Sequence, residues 1–264
     1  MFDIKERLER DKHFTVSFSC YMVELYLDKL IDLLAGDSNK NQMASTAEQL
    51  KIREDPQTGM IYVQNANQRK LDKYRDALDT FNLGLKSRKV GATGMNDHSS
   101  RSHLVFSIVI EAKNNNNGEV QSGKISFVDL AGSERASKSN PGFNLERQKE
   151  SNAINLSLKY LGDVISCLSN EELPKTHIPY LNNKLTHLMK DSLGGNAKTL
   201  MFVNISPADW NSQESLNSLQ FGHRVKMVQN VASRNVETEA CQKLKAEVAD
   251  LKRRLVGQGN QRSK

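Results

Sequence analysis

Cysteine and long apolar runs are scarce in this chain of 264 residues, and each scarcity removes a class of protein. The three cysteines, Cys20, Cys167 and Cys241, lie far apart with neither metal-ligand spacing nor an even count. A disulfide scaffold is thereby excluded and a reduced, cytoplasmic chain is expected. No run of about 18 apolar residues occurs, so neither a membrane-spanning helix nor a membrane partner is expected. The opening MFDIKERLERDKHF is charged where a secretory signal would be apolar, which argues against secretion. With 38% hydrophobic and 26% charged residues, the chain can build the core of one sizeable domain or two small ones.

What is present in excess is positive charge, and it is unevenly placed. The formal net charge is +6, yet the last 22 residues alone hold +5 of it. The body is nearly neutral, which argues against a broad nucleic-acid groove and leaves room for a local basic patch facing an acidic partner.

Hydrophobic periodicity gives an alternation of strands and helices, and so an α/β class. Phe14, Val16, Phe18 and Cys20 alternate on one face of a strand over 14–23. QLKIRED and GMIYVQN read as two short strands about a Pro56–Gly59 turn. Tyr74, Leu78, Phe81 and Leu85 recur at helical intervals. Residues 103–112 and 123–132 read as strands joined by an Asn-rich hairpin loop over 114–118. Ile154, Leu158, Leu161 and Ile165 mark one face of a long amphipathic helix over 145–168. Beyond it the pattern predicts a helix at 181–193, a strand at 199–205, a helix at 211–230 and a last helix at 236–256. Leu244, Val248, Leu251 and Leu255 form a seam there that is too short to define a coiled coil.

Two stretches concentrate chemistry. In KISFVDLAGSE a buried strand ends at Asp129, at the strand end where open α/β sheets place ligands. A carboxylate there can hold the water shell of a magnesium ion, and Gly132 admits a phosphate without a side chain in the way. In Asn96-Asp97-His98-Ser99-Ser100-Arg101-Ser102-His103, hydroxyls, an amide and a guanidinium crowd a helix-to-strand turn. The hydroxyls can ligate magnesium, and Arg101 can pair with Glu134. Either stretch alone is equally an ordinary strand end or a Ser/Asn-rich turn.

Taken in order, NxxSSRSH, DLAGSE, the long helix with Ile154-Asn155, HIPY-x-N-x-KLT and LGGNAKTLMFVNISP resemble the kinesin motor domain. The likeness covers roughly residues 1–230, and within the family it leans toward the calmodulin-binding kinesins with C-terminal motors. The resemblance implies a kinesin-type P-loop NTPase motor fold, incomplete here, with a central mixed sheet flanked by helices and a basic helical neck or tail over 231–264. It implies that Asn96, Ser99, Ser100 and Arg101 form a first switch loop, and that Asp129, Gly132 and Glu134 form a second. Arg101, Gly132 and Glu134 would surround the terminal phosphate of ATP and the attacking water. Ser100, and Asp129 through water, would hold magnesium. The helix over 145–168 would relay the nucleotide state to a microtubule. Lys138, Arg147, Lys149, His177, Lys184 and Lys190 would face tubulin. Localisation to the microtubule cytoskeleton, dimerisation through the tail and calmodulin binding by its basic helix follow as further implications, with nucleic acid and membrane excluded as partners.

The chain departs from that family in two respects. No G-x-x-x-x-G-K-[ST] occurs, and Met1–His13 resembles the end of the helix that precedes the strand at 14–23, so the family's first strands and phosphate cradle are expected to be lacking. Little or no ATP binding is expected from this chain by itself, and unpaired strand edges are expected where a central strand is lacking. Cations usual in the family are replaced by Asn152, Leu156 and Leu181, which weakens attraction to an acidic track. Two functions remain in view: an ATP-driven microtubule motor that needs further residues, or a module that binds microtubules or a partner without hydrolysis.

Overall fold

The structure, a computed structural model, describes residues 1–10, 12–36, 49–91, 98–133, 145–170, 177–230 and 235–237. Its centre is a sheet of order β2-β1-β6-β7-β8, formed by Phe14–Tyr26 (β1), Lys29–Asp32 (β2), His103–Asn114 (β6), Val120–Asp129 (β7) and Asn235–Glu237 (β8). The two-residue β5 (Arg69–Lys70) adds to β1, and every described pair in this sheet is antiparallel. Lys51–Glu54 (β3) and Ile61–Gln64 (β4) form a separate hairpin.

β1 and β6 are covered on both faces, as an α/β architecture requires. On one, Val16, Phe18, Cys20 and Met22 of β1 meet Leu104, Phe106 and Ile108 of β6 beneath Phe2–Arg10 (α1) and Tyr74–Gly91 (α2). The period of two read from 14–20 is the period of burial in β1. On the other, Tyr21, Val23 and Val105 pack on Val63 of the hairpin and on Leu188. β7, expected as a buried strand, instead leaves Ile125 and Phe127 41% and 57% exposed, because no neighbour covers that face among the described residues. The Asn-rich link between β6 and β7 is a turn in which Gly118, at φ 70°, donates to the Asn114 carbonyl at 2.9 Å.

A third cluster assembles around Leu145–Ser169 (α3). Leu161, Val164, Ile165 and Leu168 pack with Leu185 of Lys184–Leu188 (α4), Leu193, and Phe221 and Val225 of Ser212–Lys226 (α5). Among the described residues no helix is long and apolar enough to cross a membrane.

Besides the exposure of β7, three elements differ from the sequence expectation in kind or extent. The helix expected over 181–193 shrinks to the five residues of α4. Asn183 caps it, its side chain accepting from Leu185 N–H at 2.9 Å. Beyond Leu188 the chain turns off the helical path because Asp191 is held from outside. Its Oδ2 accepts from Ile61 N–H at 2.8 Å and from Lys124 Nζ at 2.5 Å. Residues 199–205, expected as a strand, run without a ladder partner among the described residues, leaving Leu200 and Phe202 77% and 79% exposed. A strand exists only by pairing, and local alternation cannot supply the neighbour. Finally, Val236 lies in β8, opposite Gln121, and not in a helix. The rest of the expected tail helix, residues 238–256, falls outside the described residues.

The turn after α4 depends on one glycine. Gly194 sits at φ 74°, and a Cβ there would meet Leu168 Cδ2 at 2.4 Å and the Tyr180 hydroxyl at 2.9 Å. Gly194→Ala is expected to cost about 2–4 kcal/mol, combining the left-handed backbone with overpacking. A matching fall in the urea midpoint, with Gly36→Ala as the control at a positive-φ site with open space, checks it.

Candidate functional site

The site forms where β7 ends, and it is organised by a residue that no motif marks. Arg88, in the last turns of α2, is buried and spreads its guanidinium over three elements. Its Nε donates to Glu24 Oε1 of β1 at 3.2 Å and its Nη1 to Asp129 Oδ2 at 3.1 Å. Its Nη2 donates to the Ser102 carbonyl at 3.1 Å and to Ser102 Oγ at 3.2 Å. Ser102 Oγ in turn donates to Glu24 Oε1. Glu24 is 3% exposed, so the pair is a desolvated one, whereas the Asp129 carboxylate is 65% exposed and its contact is screened by water. The sequence did hold a signal for this network. Glu24 is a lone carboxylate in the apolar run YMVELYL, and a buried charge requires a partner.

The two stretches singled out from sequence are in contact. Ser100 belongs to the 3-10 turn His98–Arg101, and its carbonyl accepts from Gly132 N–H at 2.8 Å. One residue earlier, Ala131 N–H donates to His103 Nδ1 at 3.0 Å. Two successive amides after β7 are thus tied, one to the turn that precedes β6 and the other to the first residue of β6. His103 Nε2 lies 2.8 Å from Ser157 Oγ on α3. Burial pushes the His103 imidazole down to about 4, with the Arg88 charge acting in the same direction and the Asp129 charge against it. The ring is therefore neutral at pH 7.

The remaining candidates fall into two groups. Asn96, Glu134 and Lys138 lie outside the described residues, so the Arg101–Glu134 pairing does too. Ser99 lies in the turn with Ser100, and Arg147 and Lys149 lie in α3, with their side chains outside the described set. On the segment around α4, His177 is exposed and Lys184 is half-buried. Lys184 Nζ donates to the Asp28 carbonyl and stands 3.5 Å from its carboxylate, and Lys190 Nζ pairs with Glu54 Oε2. Both are surface pairs of low energy, easily exchanged for another acidic partner. Asn152, Leu156 and Leu181, expected to stand where the resemblance places cations, are all exposed.

A cavity of about 1000 Å³ lies against β7, bounded by Ile125, Asp129, Leu161, Leu200, Phe202 and Phe221. Over residues 123–129 the edge of β7 on this side has no strand partner among the described residues. The expected unpaired edge is present in this form.

A central sheet flanked by helices, with two loops closed on each other at one strand end and a long helix behind them, is the architecture of a kinesin motor. A profile of the kinesin motor domain matches residues 1–228, and the chain belongs to that family. It is 45% identical over 244 residues to kinesin-like protein KIN-14E of Arabidopsis thaliana, covering 92% of this chain and 18% of that protein. To kinesin-like protein klp-20 of Caenorhabditis elegans it is 42% identical over 257 residues, covering 97% of this chain and 37% of that protein. The motor domain of the Saccharomyces cerevisiae kinesin-like protein Kar3 superposes with a TM-score of 0.68 at 36% identity, over 85% of this chain and 64% of that one. The chain is thus homologous to the KIN-14 and Kar3 kinesins, and it spans well under half the length of these curated relatives.

Proposed function

We propose that this chain carries the nucleotide-sensing loops and the track-facing elements of an ATP-driven, microtubule-based motor, over residues 1–230. Residues 231–264 then serve as a basic neck or tail with a role in dimerisation. The observation that supports this reading most strongly is the closure of the two loops through Gly132 N–H and the Ser100 carbonyl, 2.8 Å apart, with Arg88 joining Asp129 to Ser102.

The donor set fits magnesium. It consists of a hydroxyl at Ser100 and one exposed carboxylate at Asp129, and no cluster of three His, Cys, Asp or Glu side chains occurs among the described residues. Few hard oxygen ligands with several waters are what magnesium accepts. Ser99 and Asn96 would complete the contacts to Mg-ATP, with Ser100 on the metal and Asp129 reaching it through water. When bound, the metal would neutralise charge on the phosphates. Arg101 and Glu134 would hold the surroundings of the attacking water, and Gly132 would donate its N–H to the terminal phosphate. That amide is already engaged by Ser100, so binding a phosphate there exchanges one acceptor for another and moves the loop after β7. Such an exchange is a switch in the physical sense, because the two acceptors compete for one donor.

The phosphate cradle has no counterpart in the sequence, and without its backbone amides and lysine the phosphates lose their main electrostatic hold. The cradle would therefore come from residues outside these 264, entering along β7 over residues 123–129, whose edge has no strand partner among the described residues. His177, Lys184, Lys190, Arg147, Lys149 and Lys138 would face tubulin. The exposed Leu156 and Leu181 make that surface less basic than is usual in the family. A second reading, a microtubule-binding or partner-binding module without hydrolysis, is favoured by the missing cradle alone.

Calorimetry separates the two. Mg-ATP titrated into the chain should give no saturable heat. Repeating the titration after adding a polypeptide that carries a kinesin strand, GxxxxGKT loop and helix should give binding. Saturable micromolar binding by the chain alone overturns the need for an outside cradle, and no binding in either case overturns the motor reading. Co-sedimentation with microtubules that weakens as salt rises is expected under both readings.

A further inference from the structure

We propose that His103 is a positioning residue that couples the loop after β7 to helix α3 through a one-directional relay of hydrogen bonds. The direction follows from counting protons. Ser157 has a single hydroxyl proton, and Ser157 Oγ donates it to the Ile154 carbonyl at 2.7 Å. Toward His103, at 2.8 Å, the same oxygen can only accept, so Nε2 must carry the ring proton. Nδ1 is then bare, and a bare Nδ1 is what Ala131 N–H requires at 3.0 Å. Both ends of the ring independently demand one tautomer, neutral with the proton on Nε2. The relay runs from Ala131 N–H through the imidazole and the hydroxyl into the backbone of α3.

Its placement gives the relay a use. His103 is 3% exposed at the first position of β6, directly after the turn whose Ser100 carbonyl holds Gly132 N–H. Ala131 and Gly132 are adjacent, so movement of one amide displaces the other. If Gly132 exchanges acceptors as proposed above, Ala131 pulls on the ring, and the ring pulls on Ser157. That last statement rests on the nucleotide reading, but the relay itself does not. It exists in the chain as it stands and can be tested without nucleotide.

The test is amide hydrogen exchange at Ala131 in the full 264-residue chain. Ser157→Ala removes a group that does not touch Ala131, yet it should speed exchange of the Ala131 amide about tenfold, the effect of losing most of one buried hydrogen bond. His103→Asn keeps an acceptor near the Nδ1 position but cannot reach Ser157. In that background Ser157→Ala should add no further change. An Ala131 rate that ignores Ser157→Ala, or that rises equally in both backgrounds, overturns the proposal, since a merely space-filling histidine would give one of those results. A second measurement needs no variant. Long-range proton–nitrogen correlation of the unmodified chain at neutral pH should show the His103 ring as the Nε2–H tautomer alone, and the Nδ1–H form or a mixture refutes the relay. Failure of ATP binding in the complementation experiment leaves these outcomes untouched, so the two proposals fail separately.

Discussion

Arg88→Ala should destabilise the chain by about 3–5 kcal/mol, a large fraction of the stability of a domain this size. The loss does not come from the contact with Asp129, which is screened by solvent. It comes from Glu24, a buried carboxylate in β1 that loses the Arg88 guanidinium, and from the Ser102 carbonyl and hydroxyl that lose a donor. Arg88→Lys should recover only part of the loss. One ammonium cannot reach Glu24, Asp129 and Ser102 at once, as the planar fork does. Combining Arg88→Met with Glu24→Gln should be far milder than Arg88→Ala, because both charges leave together. Urea denaturation of the single and double variants measures the coupling. Additive losses in Arg88→Met and Glu24→Gln would show that the pair is not a unit.

The second large effect is one of pH. The folded-state value of His103, about 4, lies below the value near 6.5 expected in an unfolded chain. Between these two values the unfolded chain binds more protons than the folded one, so stability rises with pH across that window. The contribution is complete above about pH 6.5 and is lost as pH falls toward 4, amounting to about 3 kcal/mol for a shift of this size. Burial is the main cause, and the neighbouring charges, Arg88 and Asp129, act in opposite directions. His187 is also lowered by burial and by Lys190, and adds a slope of the same sign. His103→Asn should therefore flatten the dependence of the denaturation midpoint between pH 4.5 and 6.5 without abolishing it. An unchanged slope would mean that the imidazole keeps its ordinary affinity for protons in the folded chain.

These two residues also show where the sequence stopped being informative. His103 stands inside the NxxSSRSH stretch and was visible as part of a motif, but nothing local assigned it a partner on a helix 54 residues away. Arg88 was invisible. It ends an amphipathic helix in the run KSRKV, where a cation is most often solvated, and only the arrival of β1 and the end of β7 beside it makes it buried. Glu24 was the one legible hint, because charge in an apolar strand is costly unless it is matched.

Elsewhere the outcome turned on whether the deciding force was local. β1, the β6–β7 hairpin and α3 lie where the periodicity put them, because side-chain alternation and the helical stripe are properties of neighbouring residues, but the burial expected of Ile125 and Phe127 in β7 needed a covering neighbour and is not found. The succession of SSRSH, DLAGSE, HIPY and LGGNAKT likewise sufficed for the family, since order and spacing survive in a linear text. The tertiary structure alone decided the rest. It cut the helix after α4 short through Asp191, which Lys124 and Ile61 hold from a different sheet and hairpin. It left 199–205 extended without a ladder, because a strand needs a second backbone to accept its hydrogen bonds. And it gathered Glu24, Arg88, Ser102, His103 and Asp129 at one strand end, where burial sets their interaction energies and no residue carries that burial in its own identity.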